Sequence, residues 1–244
     1  MAAVDNIAAL CRARVVDRGH AVFLTYYDDA GDERTELSYA TFDNWASKSA
    51  NLLNEELGVG RGAHVWLTVT DHWTAAVIVV ATWKLGAVVR PARKPRAGAD
   101  DVVVVDEAGA ATTAHPPARL LTLGRGMGGR TSARVPGLAF GEEVSAFADD
   151  YDDPDVTLDD PALNSDGQTL RQGELLTAAA AGSLHRDDRL LTTRPLESAA
   201  AIVDGLVAPL LAGASVVWSV ATAPDALARR ASEERVTVTL DQAG

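Results

Sequence analysis

A few stretches of this chain carry residue types at spacings that chemistry could use. Residues 124–129, GRGMGG, match G-x-G-x-x-G after a strand-like run. In a dinucleotide site such glycines let the backbone approach a pyrophosphate at a helix N-terminus. The residues that follow, 130–140, include Pro136 and Gly137 and lack helical periodicity, which favours a flexible glycine-rich surface loop. Residues 149–160, DDYDDPDVTLDD, are rich in carboxylates but lack the central glycine and terminal glutamate of a calcium loop, so they read as a solvated linker. The histidines at 20, 64, 72, 115 and 185 show no metal-ligand spacing, and His72, at a helix start, reads as a surface or capping residue. Cys11 on a helix face reads as a small core residue rather than a nucleophile. Trp45, Trp66, Trp73 and Trp83 read as core and helix–sheet interface, with an aromatic substrate pocket as the alternative. No G-x-S-x-G elbow, Ser-x-x-Lys pair or G-x-x-x-x-G-K-[ST] loop occurs.

The elements that must position these residues alternate between strand and helix, the signature of an α/β fold. A helix is predicted over 4–16, with Ile7, Leu10, Cys11 and Arg14 at helical spacing, then a hairpin over 22–37 turning at 28–33. Ser38 is a natural N-cap for a helix over 39–57, whose Phe42, Trp45, Ala46, Ser49, Leu52 and Leu53 form one apolar face. A strand over 65–69, a helix over 73–85 capped by Asp71 and ended by Gly86, and a strand over 87–89 make a βαβ unit with parallel pairing. The valine run at 101–106 reads as a strand covered on both faces, and 119–123 as another. Beyond the acidic stretch come a helix over 170–184, a strand over 190–193, a helix over 199–211, a strand over 215–220, a helix over 224–234 and a strand over 236–240. The organisation expected is an α/β half over 1–148, an acidic linker over 149–160 and a second half of the same large domain over 161–244.

The chain has 244 residues and a formal net charge of −12, with 47% hydrophobic and 23% charged residues, enough to bury a real core. The acidic balance argues against binding nucleic acid or an anionic membrane, since both need clustered cations. One cysteine supports neither a disulfide framework nor a thiolate zinc site. The start lacks a secretory pattern, and the apolar run at 74–86 is too short to span a bilayer, so a cytoplasmic location is expected.

Several segments, in order, resemble the N-terminal domain of the acyl-adenylate-forming superfamily, which includes acyl-CoA synthetases, non-ribosomal peptide adenylation domains and firefly-type luciferases. Residues 37–42 (LSYATF) resemble its early L-T/S-Y motif, with Ser38 and Tyr39 at the matching positions. Residues 60–66 (GRGAHVW) resemble its next strand entry, and 83–91 (WKLGAVVRP) its L-K-A-G-x-x-x-V-P segment, placing Lys84, Gly86 and Pro91. Residues 159–163 (DDPAL), with Asp160, resemble the lead into the phosphate loop. Residues 190–217, with Pro195, Glu197 and Gly213, resemble the helix–strand stretch beyond it, and 232–240 the strand after that. The resemblance implies a doubly wound, mostly parallel α/β fold, and ATP, AMP, CoA or a small acyl compound as ligands.

The departures bear on function. The family's phosphate loop is rich in Ser, Thr and Gly and ends in Pro-Lys; here residues 164–169 are NSDGQT, shorter, without lysine and carrying Asp166. A carboxylate facing a triphosphate repels it. Glu197 and Ser198 stand where many members carry aromatic or histidine residues reaching the acyl pocket. The family's adenine loop, magnesium and ribose ligands and catalytic-lysine domain would follow beyond residue 244. The expectation is a relative that does not form acyl-adenylates alone and serves as a binding or regulatory scaffold. The alternative is a ligase subunit whose degenerate ATP or acyl site is completed by a partner chain. No catalytic or metal-binding residue is assigned, and a homodimer through the last strand is expected.

Overall fold

The computed structural model describes residues 4–112, 119–153 and 155–240; His115 and Pro154 lie outside them. In chain order the strands are β1 (Val22–Asp28), β2 (Glu33–Ser38), β3 (His64–Leu67), β4 (Val88–Pro91), β5 (Val102–Asp106), β6 (Arg119–Leu123), β7 (Leu138–Ala139), β8 (Pro161–Ser165), β9 (Gln168–Arg171), β10 (Arg189–Thr192), β11 (Ser215–Ser219) and β12 (Val238–Leu240). The helices are α1 (Ile7–Arg18), α2 (Tyr39–Glu55), α3 (Trp73–Lys84), α4 (Glu107–Thr112), α5 (Phe140–Glu143), α6 (Gln172–Ala180), α7 (Ala199–Ile202), α8 (Ala208–Ala212) and α9 (Pro224–Glu233). A π-helical turn, Val203–Val207, joins α7 to α8 as one helix.

These strands form two sheets, one ordered β12-β10-β11-β1-β2 and the other β7-β6-β5-β3-β4-β8-β9. Both are parallel except at one edge, where β2 and β9 run antiparallel to their neighbours β1 and β8. The α/β, doubly wound expectation holds. Each part of the chain feeds both sheets: β1 and β2 join β10–β12, while β8 and β9 join β3–β7.

One core lies between the sheets. It combines Phe23 and Trp218 from one sheet, Leu67 and Val104 from the other, and the buried faces of α1, α2, α3 and α6. All twelve residues of α3 are buried, as a helix apolar on every side must be. The valines of β5 divide by the two-residue period of a strand: Val102 and Val104 face this core, while Val103 and Val105 join Trp66, Ala110 and Leu120 in a smaller one on the outer face.

Four local expectations are corrected. The helix predicted over 170–184 is α6, Gln172–Ala180, because residues 168–171 form β9. The hairpin was hidden in Asp166-Gly167, whose φ angles of 53° and 78° make the two-residue turn between β8 and β9. The cap of α3 is His72, not Asp71, which turns outward to Arg125. The acidic stretch is tied down: Asn6 Nδ2 donates to Val156 O (2.7 Å), Arg12 pairs with Asp152 (2.7 Å), and Val156 is buried. The glycine loop at 124–129 leads into no long helix and is closely packed. A Cβ on Gly124 would stand 1.9 Å from Arg130 O, and one on Gly129 would stand 2.9 Å from Phe140.

Candidate functional site

The carboxyl ends of parallel strands from both sheets converge at one place, where open α/β sheets take their ligands. Leu196 N donates to Thr70 O (2.7 Å), stitching the exit of β10 to the exit of β3. Arg125, at the exit of β6, places Nη2 2.8 Å from Asp71 and Nη1 3.6 Å from Asp28 at the end of β1. Tyr26 OH donates to Asp71 O (3.1 Å), and burial raises its phenol above the ordinary value.

Beside this lies a buried row. His72, 1% exposed, accepts at Nδ1 from Thr74 N (3.4 Å) as the cap of α3, with Thr74 Oγ1 2.7 Å away. The accepting role of Nδ1 assigns the ring proton to Nε2, which donates to Glu33 Oε2 (3.1 Å). Trp73 Nε1 and Thr35 Oγ1 donate to Glu33 Oε1 at 2.8 and 2.7 Å. Burial pushes the Glu33 carboxyl up, but these hydrogen bonds outweigh it and hold it below the usual carboxylate range. The hydroxyl–imidazole–carboxylate order resembles a nucleophile relay, but Thr74 and His72 are both buried, so the row braces the start of α3 against β2. Among the described residues no cluster of three His, Cys, Asp or Glu side chains is placed to hold a metal.

The segment expected at the phosphate loop is the β8–β9 hairpin. Ser165 pairs directly with Gln168 across the two-residue turn, and Asn164 Nδ2 donates to Thr169 Oγ1 (2.8 Å). A cradle for phosphates needs several unpaired backbone N–H groups converging on one point. Here the ladder is paired up to the turn, whose side chain is the Asp166 carboxylate, accepting from Ser165 Oγ (2.9 Å).

The positions singled out by resemblance fall into four places. Ser38 Oγ accepts from Thr41 N (3.1 Å) as the cap of α2. Next to it, Tyr39 OH donates to Ala214 O (2.6 Å), just beyond Gly213, whose φ of 77° ends α8. Arg14 Nε donates to Leu210 O (2.8 Å), and Arg18 bonds Gly213 O, so three side chains serve the carbonyls at this helix end. Lys84, 1% exposed, donates to Ser47 Oγ (3.0 Å) and sits 2.8 Å from Asp43, deep between α2 and α3. Gly86 (φ 63°) packs on Val156 and Arg61, and Arg61 pairs with the buried Asp160 (2.6 Å) at the amino end of β4. Pro91 ends β4, and Arg93 beyond it pairs at 3.0 Å with Glu197, two residues after Pro195 in the exit of β10. Cys11 is buried, and burial with the Asp43 charge pushes its thiol up to about 12. Trp66, Trp73 and Trp83 are core residues, and Trp83 Nε1 donates to Ala162 O (2.7 Å).

Comparison with known proteins bears on this geometry. The family described as AMP-binding enzyme matches residues 11–117. A protein of Mycobacterium tuberculosis (strain ATCC 25618 / H37Rv) named "TIGR03089 family protein" is 32% identical over 221 residues, covering 88% of this chain and 89% of that one. The fold superposes on the N-terminal domain of FACL13 from Mycobacterium tuberculosis with a TM-score of 0.76 at 18% identity, covering 96% of this chain and 62% of that one. It superposes on an acyl-CoA synthetase of Brucella canis with a TM-score of 0.78 at 16% identity, covering 96% and 46%. The anthranilate CoA ligase AuaEII, solved with anthranoyl-AMP, gives a TM-score of 0.79 at 15% identity, covering 98% and 50%. At such identities these structures show the fold, and the chain spans about half the length of the two ligases. The chain has the fold of the N-terminal part of acyl-CoA synthetases, and by its identity to the mycobacterial relative it belongs to the TIGR03089 family.

Proposed function

We propose that this chain does not form acyl-adenylates by itself and uses the inherited α/β fold as a binding or regulatory scaffold. The β8–β9 hairpin is the observation that carries this reading: a paired two-residue turn bearing a carboxylate stands where the resemblance places a phosphate cradle. Transfer of an adenylyl group needs charge stabilisation on the reacting phosphate, and Asp166 supplies the opposite sign. A cytoplasmic location and self-association through the edge strand β12 belong to the same reading. Calorimetric titration with ATP, AMP, CoA and a non-hydrolysable acyl-adenylate mimic tests it. The scaffold reading expects no heat with any of the nucleotides, and micromolar binding of ATP contradicts it.

A second reading is a ligase subunit completed by a partner chain. It is favoured by the convergence of the carboxyl ends of strands from both sheets at Thr70, Asp71 and Leu196, the place where open α/β sheets take their ligands. Micromolar binding of the acyl-adenylate mimic, with no heat from ATP alone, favours this reading over the first.

A further inference from the structure

The connection from β4 to β5 crosses β3, and parallel crossovers usually do this with a helix. Here residues 92–101 make the crossing without one, so a coil lies over the outer face of the seven-stranded sheet. It is pinned from below. Trp66 Nε1 donates to Asp101 Oδ2 (2.8 Å), which also accepts from Gly98 N (2.8 Å), and the Arg90 guanidinium lies 4.1 Å over the Trp66 ring.

The first part of this thin cover is basic in a chain of net charge −12: residues 90–96 read RPARKPR, and Asp100 and Asp101 stand at its far end. Arg93, Lys94 and Arg96 are exposed. Arg93 pairs with Glu197, whereas Lys94 and Arg96 have no carboxylate partner among the described residues. Beyond β4 the outer face continues with Asn164, Thr169 and Arg171. Leu170 packs on the core, so its neighbours point the other way, and Asn164 and Thr169 bond side chain to side chain. Among the described residues Arg171, 60% exposed, pairs with the solvated Asp159 at 3.4 Å. Among the described residues the outer face of β3, β4, β8 and β9 is thus polar and carries cations without a covering helix, whereas α4 covers the β5–β6 side.

We propose that this face, from the 92–101 coil across β4 to β9, is a docking surface for an acidic helix of a partner protein. Charge complementarity selects the partner: carboxylates along a helix meet Lys94, Arg96 and Arg171 across the strands. The rest of the chain selects against long polyanions. A nucleic acid or an anionic membrane extends past the patch and meets the surrounding negative surface within a Debye length of about 8 Å. A short acidic helix ends where the patch ends. This goes beyond the scaffold reading by naming a surface and its partner, and it does not depend on the fate of the phosphate loop.

The test uses the full chain and a labelled Ala/Glu helical peptide of about 18 residues with its glutamates on one face. Fluorescence anisotropy at about 0.05 M salt is expected to show saturable binding that weakens at least about tenfold at 0.3 M. Lys94→Glu combined with Arg96→Glu is expected to lower affinity about tenfold or more with unchanged circular dichroism and Tm, since both side chains are exposed. An Ala/Gln peptide is expected not to bind. Equal binding by the double variant, binding of the Ala/Gln peptide, or tighter binding of a single-stranded oligonucleotide or of phosphatidylglycerol vesicles overturns the proposal.

Discussion

Lys84 shows how far a residue's role depends on what surrounds it. It ends a helix whose every residue is buried, and its charge is met by Asp43 and Ser47. Removing one member of a buried pair strands the other charge, whereas replacing both with apolar groups of similar volume is often neutral. Lys84→Ala should therefore lower the unfolding free energy by about 3–5 kcal/mol, while Lys84→Met with Asp43→Leu should lie within about 1 kcal/mol of the parent. Urea denaturation of the parent, Lys84→Ala and the double variant measures both. Cys11 makes a second residue-scale prediction. With its thiol held up to about 12 by burial and the Asp43 charge, it should not react with a disulfide reagent at about pH 8 in the native chain and should react fully in denaturant. Rapid reaction of the native protein would contradict the placement of Cys11 in the core.

Elements carry the next set of effects. The end of α8 is served by Arg14, Arg18 and Tyr39 from α1 and α2, so the order of the middle layer depends on side-chain-to-carbonyl bonds. Tyr39→Phe should cost about 1–3 kcal/mol, because Ala214 O loses a buried donor. Gly167→Ala should cost about 1 kcal/mol through the left-handed φ of the hairpin turn, without disturbing α8. Thermal unfolding of both variants checks the two values. Much at this scale was legible in the sequence. The alternation of strand and helix, the four valines of β5, the Ser38 cap and the parallel unit of β3, α3 and β4 all follow from local pattern. The hairpin of β8 and β9 does not stand out in the sequence, although Asp166-Gly167 is a strong turn signal, because the surrounding residues lack a clear two-residue alternation. Asp71 is the better cap by propensity, but its pairing with Arg125 depends on a loop 54 residues away. The packing of the glycine loop, the burial of His72 and the reach of Arg14 to Leu210 are likewise long-range and leave no local signature.

For the whole molecule, the carboxylates that stitch distant segments set the response to pH. Glu33, Asp160 and Glu234 are each pushed up by burial and brought below their ordinary values by stronger hydrogen bonds and ion pairs, from His72, Arg61 and Tyr27 first. A carboxyl lower in the folded chain than in the unfolded one contributes stability above its unfolded value and loses it as pH falls through the folded one. Tm should thus be nearly level from about pH 8 to 6 and fall below about pH 4.5. Relief of the −12 net charge opposes this, but exposed charges are screened by salt and the buried pairs much less. A Tm that rises between pH 6 and 4 would contradict these assignments. Among the described residues the five-stranded sheet ends at β12, which pairs with β10 alone. An unpaired edge favours association, so light scattering at micromolar concentration should return twice the 25.6 kDa chain mass, and a monomer would count against it.

The central claim is that the paired β8–β9 turn, with its Asp166 carboxylate, stands in place of a phosphate cradle and leaves this chain without adenylating activity of its own. ATP–pyrophosphate exchange by the purified chain, across a panel of aromatic, short-chain and long-chain carboxylic acids, measures that activity most directly. Exchange at background with every acid is the predicted result, and magnesium-dependent exchange above background with any one of them would contradict the account.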